Sequence, residues 1–187
     1  MKIILASKSP RRQELLSLIT EDFIIDIPKG EENCPEDIPL FSRPQYLAEQ
    51  KASEIAKKEP EALIIAADTA VFLGEQMLGK PKDEQEARDM LMCLSGKTHT
   101  VITGCAVRQG EREESFSVST EVEFYPLDEE TIENYIKTGE SMDKAGAYGI
   151  QGKGALLIKG IKGDYFNVVG LPVAKLEKIL KKIDLKR

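Results

Sequence analysis

Ser7, Ser9, Arg11 and Arg12 lie directly after the apolar run Ile3-Ile4-Leu5-Ala6 and just ahead of Gln13-Glu14-Leu15-Leu16. Ser9 suits a helix N-cap, and Pro10 suits the first helical position, where a backbone N–H would go unpaired anyway. The free N–H groups and dipole of such a helix start favour an anion, and two arginines add fixed charge with forked donors. Strand, turn and basic helix start together describe a phosphate seat. Taken alone, the segment fits an ordinary capped helix with two solvated arginines equally well.

Asp68 closes the run Leu63-Ile64-Ile65-Ala66-Ala67, which reads as a buried strand. A carboxylate at the carboxyl end of an α/β strand stands where ligands usually bind, so Asp68 could hold a divalent cation or take a proton from water. An Asx turn at a strand end is the plainer alternative. If residues 42–57 are helical, Lys51 shares a face with Leu47 and Ile55, so its ammonium either snorkels to water or meets an anion such as phosphate. Lys80 is held in the turn Gly79-Lys80-Pro81. Gln151 sits in Asp143-Lys144-Ala145-Gly146-Ala147-Tyr148-Gly149-Ile150-Gln151-Gly152-Lys153-Gly154, a run in which the backbone can approach a ligand closely and an amide can read a base edge or sugar. It is neither a P-loop nor a dinucleotide fingerprint. Glu31 and Glu32 follow the turn Pro28–Gly30 and could add a carboxylate to a metal, or simply be solvated. His99, the only histidine, reads as structural, and Cys34, Cys93 and Cys105 form no CxxC, disulfide or zinc pattern.

These residues need a scaffold of alternating strands and helices. Strands are expected at 2–6, 23–27, 62–67, 98–108, 115–124 and 155–161, and helices at 10–19, 42–57, 83–94, 128–137 and 172–183. Residues 71–78 read as a short hairpin-like piece and 109–111 as a hairpin turn. Ala87, Met90, Leu91 and Leu94 make one apolar helical stripe, and Val173, Leu176, Leu180 and Ile183 another. This is a mixed α/β sheet flanked by helices, expected as a single domain over residues 1–187. The net charge of −6 disfavours a nucleic-acid surface and suits a small polyanionic ligand met by a few concentrated cations. Without an apolar run long enough for a bilayer, or a signal-like start, the expected setting is the cytoplasm, with no membrane partner.

In order along the chain, LASKSPRRQELL (Leu5–Leu16), QKA around Lys51, AADT (66–69), GKP (79–81), LSGKTHTVITG (94–104), MDKAGAYGIQGKGA (142–155) and VVGLP (168–172) resemble the Maf family of nucleoside triphosphate pyrophosphatases. The resemblance spans nearly the whole chain. It implies an elongated twisted mixed sheet in two lobes with a cleft between them, related to the inosine triphosphate pyrophosphatases. It also implies conversion of a nucleoside triphosphate and water to the monophosphate and pyrophosphate with a divalent metal cation, Mg²⁺ or Mn²⁺. Carried over by position, Asp68 matches the proton acceptor and a metal ligand. Glu32 matches a second metal ligand, and Ser7, Arg12, Lys51 and Lys80 match phosphate-binding positions.

Arg11, Thr69 and Gln151 match the specificity positions of the branch that acts on dTTP and UTP. The branch acting on 7-methyl-GTP differs before the second arginine and carries glutamine after its aspartate. Modified pyrimidine triphosphates are implied as further substrates, and a homodimer as a possible assembly. A nucleotide-binding regulator of cell division without important catalysis is the alternative.

Overall fold

The computed structural model describes residues 1–185, with side chains up to residue 183. In chain order the elements are β1 (Ile3–Leu5), α1 (Pro10–Ser17), β2 (Ile24–Ile25), α2 (Arg43–Ala56), β3 (Leu63–Leu73), β4 (Gln76–Leu78), α3 (Glu84–Leu94), β5 (Thr98–Gln109), β6 (Arg112–Phe124), α4 (Glu129–Ile136), β7 (Ile158–Lys162), α5 (Tyr165–Val169) and α6 (Val173–Leu185). Short 3₁₀ turns lie at Leu40–Ser42, Ala145–Ala147 and Gly152–Leu157. Among the described residues there is one seven-stranded sheet of order β2-β1-β3-β5-β6-β7, with β4 paired to β3 off that path. β1 runs parallel to both β2 and β3, whereas β4 is antiparallel to β3 and β7 antiparallel to β6. The sheet is therefore mixed, as expected. No helix among the described residues is long and apolar enough to cross a membrane.

The chain divides into two compact units. Among the described residues the first comprises 1–68, 103–118 and the stretch from 170 to 185, the second 69–102 and 119–169. The first unit buries Ile4 and Ala6 of β1 and its exit, Ile64 and Ala66 of β3, Ala106 of β5, and Ala48, Ala52 and Ile55 of α2. Alanines on this face let α2 come close to the sheet, and Gly104 makes the approach possible. A Cβ built there would lie 2.2 Å from the Gln45 backbone nitrogen. β5 thus needs a glycine where the start of α2 crosses it.

The second unit is built around Val71, Leu78, Leu91, Leu94, Val101, Val122, Phe124, Ile132 and Leu157. α3 and α4 begin at Asp83 and Asp128, whose side chains accept from the Glu86 and Thr131 backbone N–H groups, each at 2.8 Å. Both are ordinary carboxylate N-caps with acidic first turns. His99 is buried among rings, with its centroid 5.0 Å from that of Phe124 and 5.3 Å from that of Tyr148, both edge-to-face. Its Nε2 lies 2.7 Å from the Tyr148 hydroxyl. The structural reading of this histidine fits that setting. Asn167 of α5 donates to the Val101 carbonyl at 3.0 Å and to Thr120 Oγ1 at 2.9 Å.

Several expected boundaries move. The strand expected at 62–67 runs on to Leu73, so Asp68 lies within β3 and not at its end. The apolar run Ala70-Val71-Phe72-Leu73 continues the strand, and β4 supplies a new partner, pairing Val71 with Leu78 and Leu73 with Gln76. The strand expected at 23–27 shrinks to the exposed pair Ile24-Ile25, and the one at 155–161 starts only at Ile158, after a 3₁₀ turn. α5 was not expected: five residues are too few to show a helical period.

Two outcomes follow from this packing. Gly104→Ala should lower unfolding free energy by about 3 kcal/mol or more, because backbone and not a flexible side chain blocks the new methyl; a loss below about 1 kcal/mol in urea denaturation would contradict the close approach. Burial pushes the His99 imidazole down to about 4 from an ordinary 6.5. The unfolded chain therefore takes up the proton first, and stability is full above pH 6.5 and falls by about 3 kcal/mol as the pH drops toward 4. His99→Gln should remove that part of the pH slope in parallel urea titrations at pH 7 and 4.5; an unchanged slope would remove His99 as its source.

Candidate active site

In the first unit, the loop from β1 into α1 forms as the sequence predicts. Ser9 has extended dihedrals and caps α1, with its side chain accepting from the Arg12 backbone N–H at 3.5 Å, and Pro10 follows as the first helical residue. Ser7 is buried, and its Oγ accepts from the Ser9 N–H at 3.2 Å. Arg12 turns inward. Its Nε donates to the Gly170 carbonyl at 2.9 Å, and its Nη1 to the Ala67 carbonyl at 2.8 Å and Ser7 Oγ at 3.3 Å. Burial lowers the guanidinium pKa, opposed chiefly by the charge of Asp68. A charge kept in such a place needs acceptors, and two backbone carbonyls supply them.

Ala67 lies two residues beyond the stretch Leu63–Ile65 that pairs with β1. Arg12 satisfies its carbonyl, and Asp68 stands next to it. Asp68 does not end in an Asx turn. Its carboxylate lies 2.6 Å from Lys51 Nζ, with the Asp68 side chain 17% exposed and that of Lys51 14% exposed.

Lys51 emerges from α2 beside the core face Pro44, Ala48, Ala52 and Ile55. It does not snorkel to open solvent: Nζ lies 2.6 Å from Asp68 Oδ1 and 3.0 Å from Glu32 Oε1. The anion it meets is therefore a pair of carboxylates. Glu32 itself is 58% exposed and comes from the loop before α2. Of the two adjacent glutamates, Glu32 is the one with this contact.

The remaining expected positions belong to other parts of the chain. Arg11 follows Pro10 in the first turn of α1. Thr69 follows Asp68 along β3 and is half-buried, while Lys80 and Gln151 are exposed in the second unit. There the GKP turn and the glycine-rich segment meet, since Gly146 N–H donates to the Gly79 carbonyl at 3.0 Å. Gly146 has φ +68°, and a Cβ there would come within 3.0 Å of the Val71 side chain, so both conformation and space require glycine. The neighbourhood of Gln151 is fixed by Tyr135, whose hydroxyl accepts from Gly149 N–H at 3.1 Å, and by Glu140, whose two oxygens accept from Lys153 N–H at 3.2 and 3.1 Å. Lys144 donates to Asp143 at 2.6 Å and also to the Glu140 carbonyl.

The sequence reading singled out none of Glu54, Gln50, Glu140 and Tyr135. Glu54 accepts from the Lys29 and Gly30 backbone N–H groups, and Gln50 donates to the Asn33 carbonyl. Their one sequence clue is position: Gln50 and Glu54 are one helical turn apart and flank Lys51. A thiol nucleophile finds no support at Cys105, which burial pushes up to about 12. Among the described residues no three His, Cys, Asp or Glu side chains converge as a ready metal cage. Asp68 and Glu32 still place two hard carboxylates around one cation, and Mg²⁺ is commonly held by one or two carboxylates plus water and substrate phosphates. The donor set suits such an ion.

The model of the family described as Maf-like protein matches residues 2–183. A dTTP/UTP pyrophosphatase of Bacillus velezensis is 49% identical over 185 residues, covering 99% of this chain and 98% of its own. A dTTP/UTP pyrophosphatase of Carboxydothermus hydrogenoformans is 52% identical over 187 residues, covering 97% of this chain and 98% of its own. A solved structure of a HAM1 protein from Coxiella burnetii aligns with a TM-score of 0.52 and 15% identity over 97% of this chain and 99% of that one, a likeness of fold alone. With a match running from Lys2 to Ile183 and relatives near half identity over nearly all of its length, the chain belongs to the Maf-like protein family.

Proposed function

We propose that this chain hydrolyses nucleoside triphosphates, dTTP and UTP in particular, to the monophosphate and pyrophosphate. The observation that carries the reading is the Asp68–Lys51–Glu32 cluster, in which one ammonium is shared by two carboxylates at 2.6 and 3.0 Å. Such a cluster is a poor structural staple but a good phosphate site. The lysine can exchange a carboxylate for a phosphate oxygen, and the carboxylates so released are hard donors for a cation. The names of the relatives at 49% and 52% identity supply the substrate class.

In the proposed reaction the oxygen of a water molecule bonds to phosphorus, and the bridging oxygen between the α and β phosphates departs with its electron pair as pyrophosphate. Asp68 is placed as the group that orients the water and accepts its proton. Lys51 offsets charge on the phosphates, and Lys80 is assigned a phosphate-binding role on the strength of the family resemblance alone. Ser7 offers its hydroxyl and the start of α1 its dipole, while Arg12 contributes charge and fixes the loop through the Ala67 and Gly170 carbonyls. Asp68 and Glu32 are the residues that would hold a divalent cation, Mg²⁺ or Mn²⁺, which supplies charge neutralisation on the phosphates. Arg11, Thr69 and Gln151 are assigned to pyrimidine selection on the strength of the family resemblance, Gln151 having the amide needed to read a base edge.

The test is pyrophosphate release from dTTP, UTP, CTP, GTP and 7-methyl-GTP with Mg²⁺ or Mn²⁺, with products resolved by ³¹P NMR. The expected result is turnover of dTTP and UTP at least about tenfold above GTP and 7-methyl-GTP, yielding monophosphate and pyrophosphate. Preference for 7-methyl-GTP would overturn the specificity assignment. Tight nucleotide binding with no hydrolysis of any of them would replace the enzyme with a binding regulator.

A further inference from the structure

Glu32 presents a physical problem. A carboxylate 58% exposed, on a loop exposed from Lys29 to Asn33, gains little from a single ion pair with Lys51. A pair with one partner this exposed is screened by water and holds a loop side chain only weakly. Something else must hold the backbone that carries it.

The helix that presents Lys51 also supplies that hold. Glu54 Oε1 accepts from the Lys29 N–H at 2.7 Å and its Oε2 from the Gly30 N–H at 3.0 Å, so one carboxylate grips two successive backbone donors ahead of Glu32. Gln50 Nε2 donates to the Asn33 carbonyl at 2.9 Å, just after Glu32. Three side chains within five residues of α2 thus bind the loop before, at and after Glu32. A Cβ at Gly30 would lie 2.8 Å from Glu54 Oε2, so a larger residue there would push the carboxylate aside. Hydrogen bonds to an ionised acceptor are shorter and about twice as strong as neutral ones. The backbone bond from Lys29 is the largest cause of a lowered Glu54 pKa, consistent with an ionised carboxylate in the grip.

We propose that Glu54 is a positioning residue for the reaction: its carboxylate clamps the Lys29-Gly30 backbone so that Glu32 is delivered to the Lys51–Asp68 pair. This deepens the pyrophosphatase reading and rests on it. Glu54 touches neither substrate nor reacting atoms in this role and acts only through Glu32. Its removal therefore matters when Glu32 is present and not otherwise.

The experiment compares the full chain with Glu54→Gln, Glu32→Gln and the double variant. UTP turnover is split into kcat and KM over a Mn²⁺ titration, and hydrogen exchange of the Lys29 and Gly30 amides is followed separately. Glu54→Gln is expected to speed that exchange by about tenfold, roughly the loss of one charge-assisted hydrogen bond. It is also expected to lower kcat and raise the Mn²⁺ concentration for half-activation in the direction of Glu32→Gln, with the double variant within about twofold of Glu32→Gln alone. Multiplying defects in the double variant would mean that Glu54 acts by general stabilisation and would overturn the proposal. Unchanged exchange in Glu54→Gln would overturn it whether or not UTP is hydrolysed, whereas absence of turnover in the unmodified chain counts against the pyrophosphatase reading itself.

Discussion

A lysine ammonium with its side chain only 14% exposed is tolerable only with anionic partners, and for Lys51 these are Asp68 at 2.6 Å and Glu32 at 3.0 Å. Much of the first unit is arranged to bring those three groups together. α2 must lie close on the sheet, which Ala48, Ala52 and Gly104 permit. β3 must carry a carboxylate at mid-length, and a loop with little burial of its own must be held by the same helix. Net binding energy from a partly buried ion pair is small once desolvation is counted. The cluster therefore makes better sense as a site than as a staple.

The guanidinium of Arg12 is the second device. Here the Ala67 carbonyl is taken by Arg12, which also reaches the Gly170 carbonyl and so joins the start of α1 to the stretch before α6. A guanidinium can serve two carbonyls and a hydroxyl because its donors point outward in one plane, which a lysine in the same position could not do. Arg12 thereby combines scaffolding with a fixed positive charge beside the carboxylate.

How much of this could be read from the sequence differed by element. α3 was legible because Ala87, Met90, Leu91 and Leu94 keep helical spacing, and the structure adds the Asp83 and Asp128 caps of α3 and α4. The hairpin of β5 and β6 was legible at Gly110, whose φ of +58° suits the turn. The anomaly of Lys51 on an apolar helix face was visible, but which anion it meets was not, since Glu32 arrives through a loop without a period. The apolar run Leu63–Ala67 suggests a strand that ends at Asp68. The strand continues because Lys51 satisfies the carboxylate and β4 takes over the pairing. Glu54 and Gln50 left almost no trace: hydrogen bonds from a helix to a remote backbone depend on tertiary placement. The functional class itself came from ordered motifs and from relatives, not from periodicity.

The central claim is that Asp68 carries the chemistry of a nucleotide site and is not merely the counter-ion of Lys51. Single-turnover hydrolysis of UTP by Asp68→Asn, with folding checked by circular dichroism and urea denaturation, separates the two directly. An asparagine keeps the shape and can still accept from Lys51, but it cannot take a proton and is a weak ligand for a divalent cation. The account predicts a folded variant whose turnover falls by about a thousandfold or more, with nucleotide binding largely retained. A folded variant that hydrolyses UTP at a rate near that of the unmodified chain would contradict it.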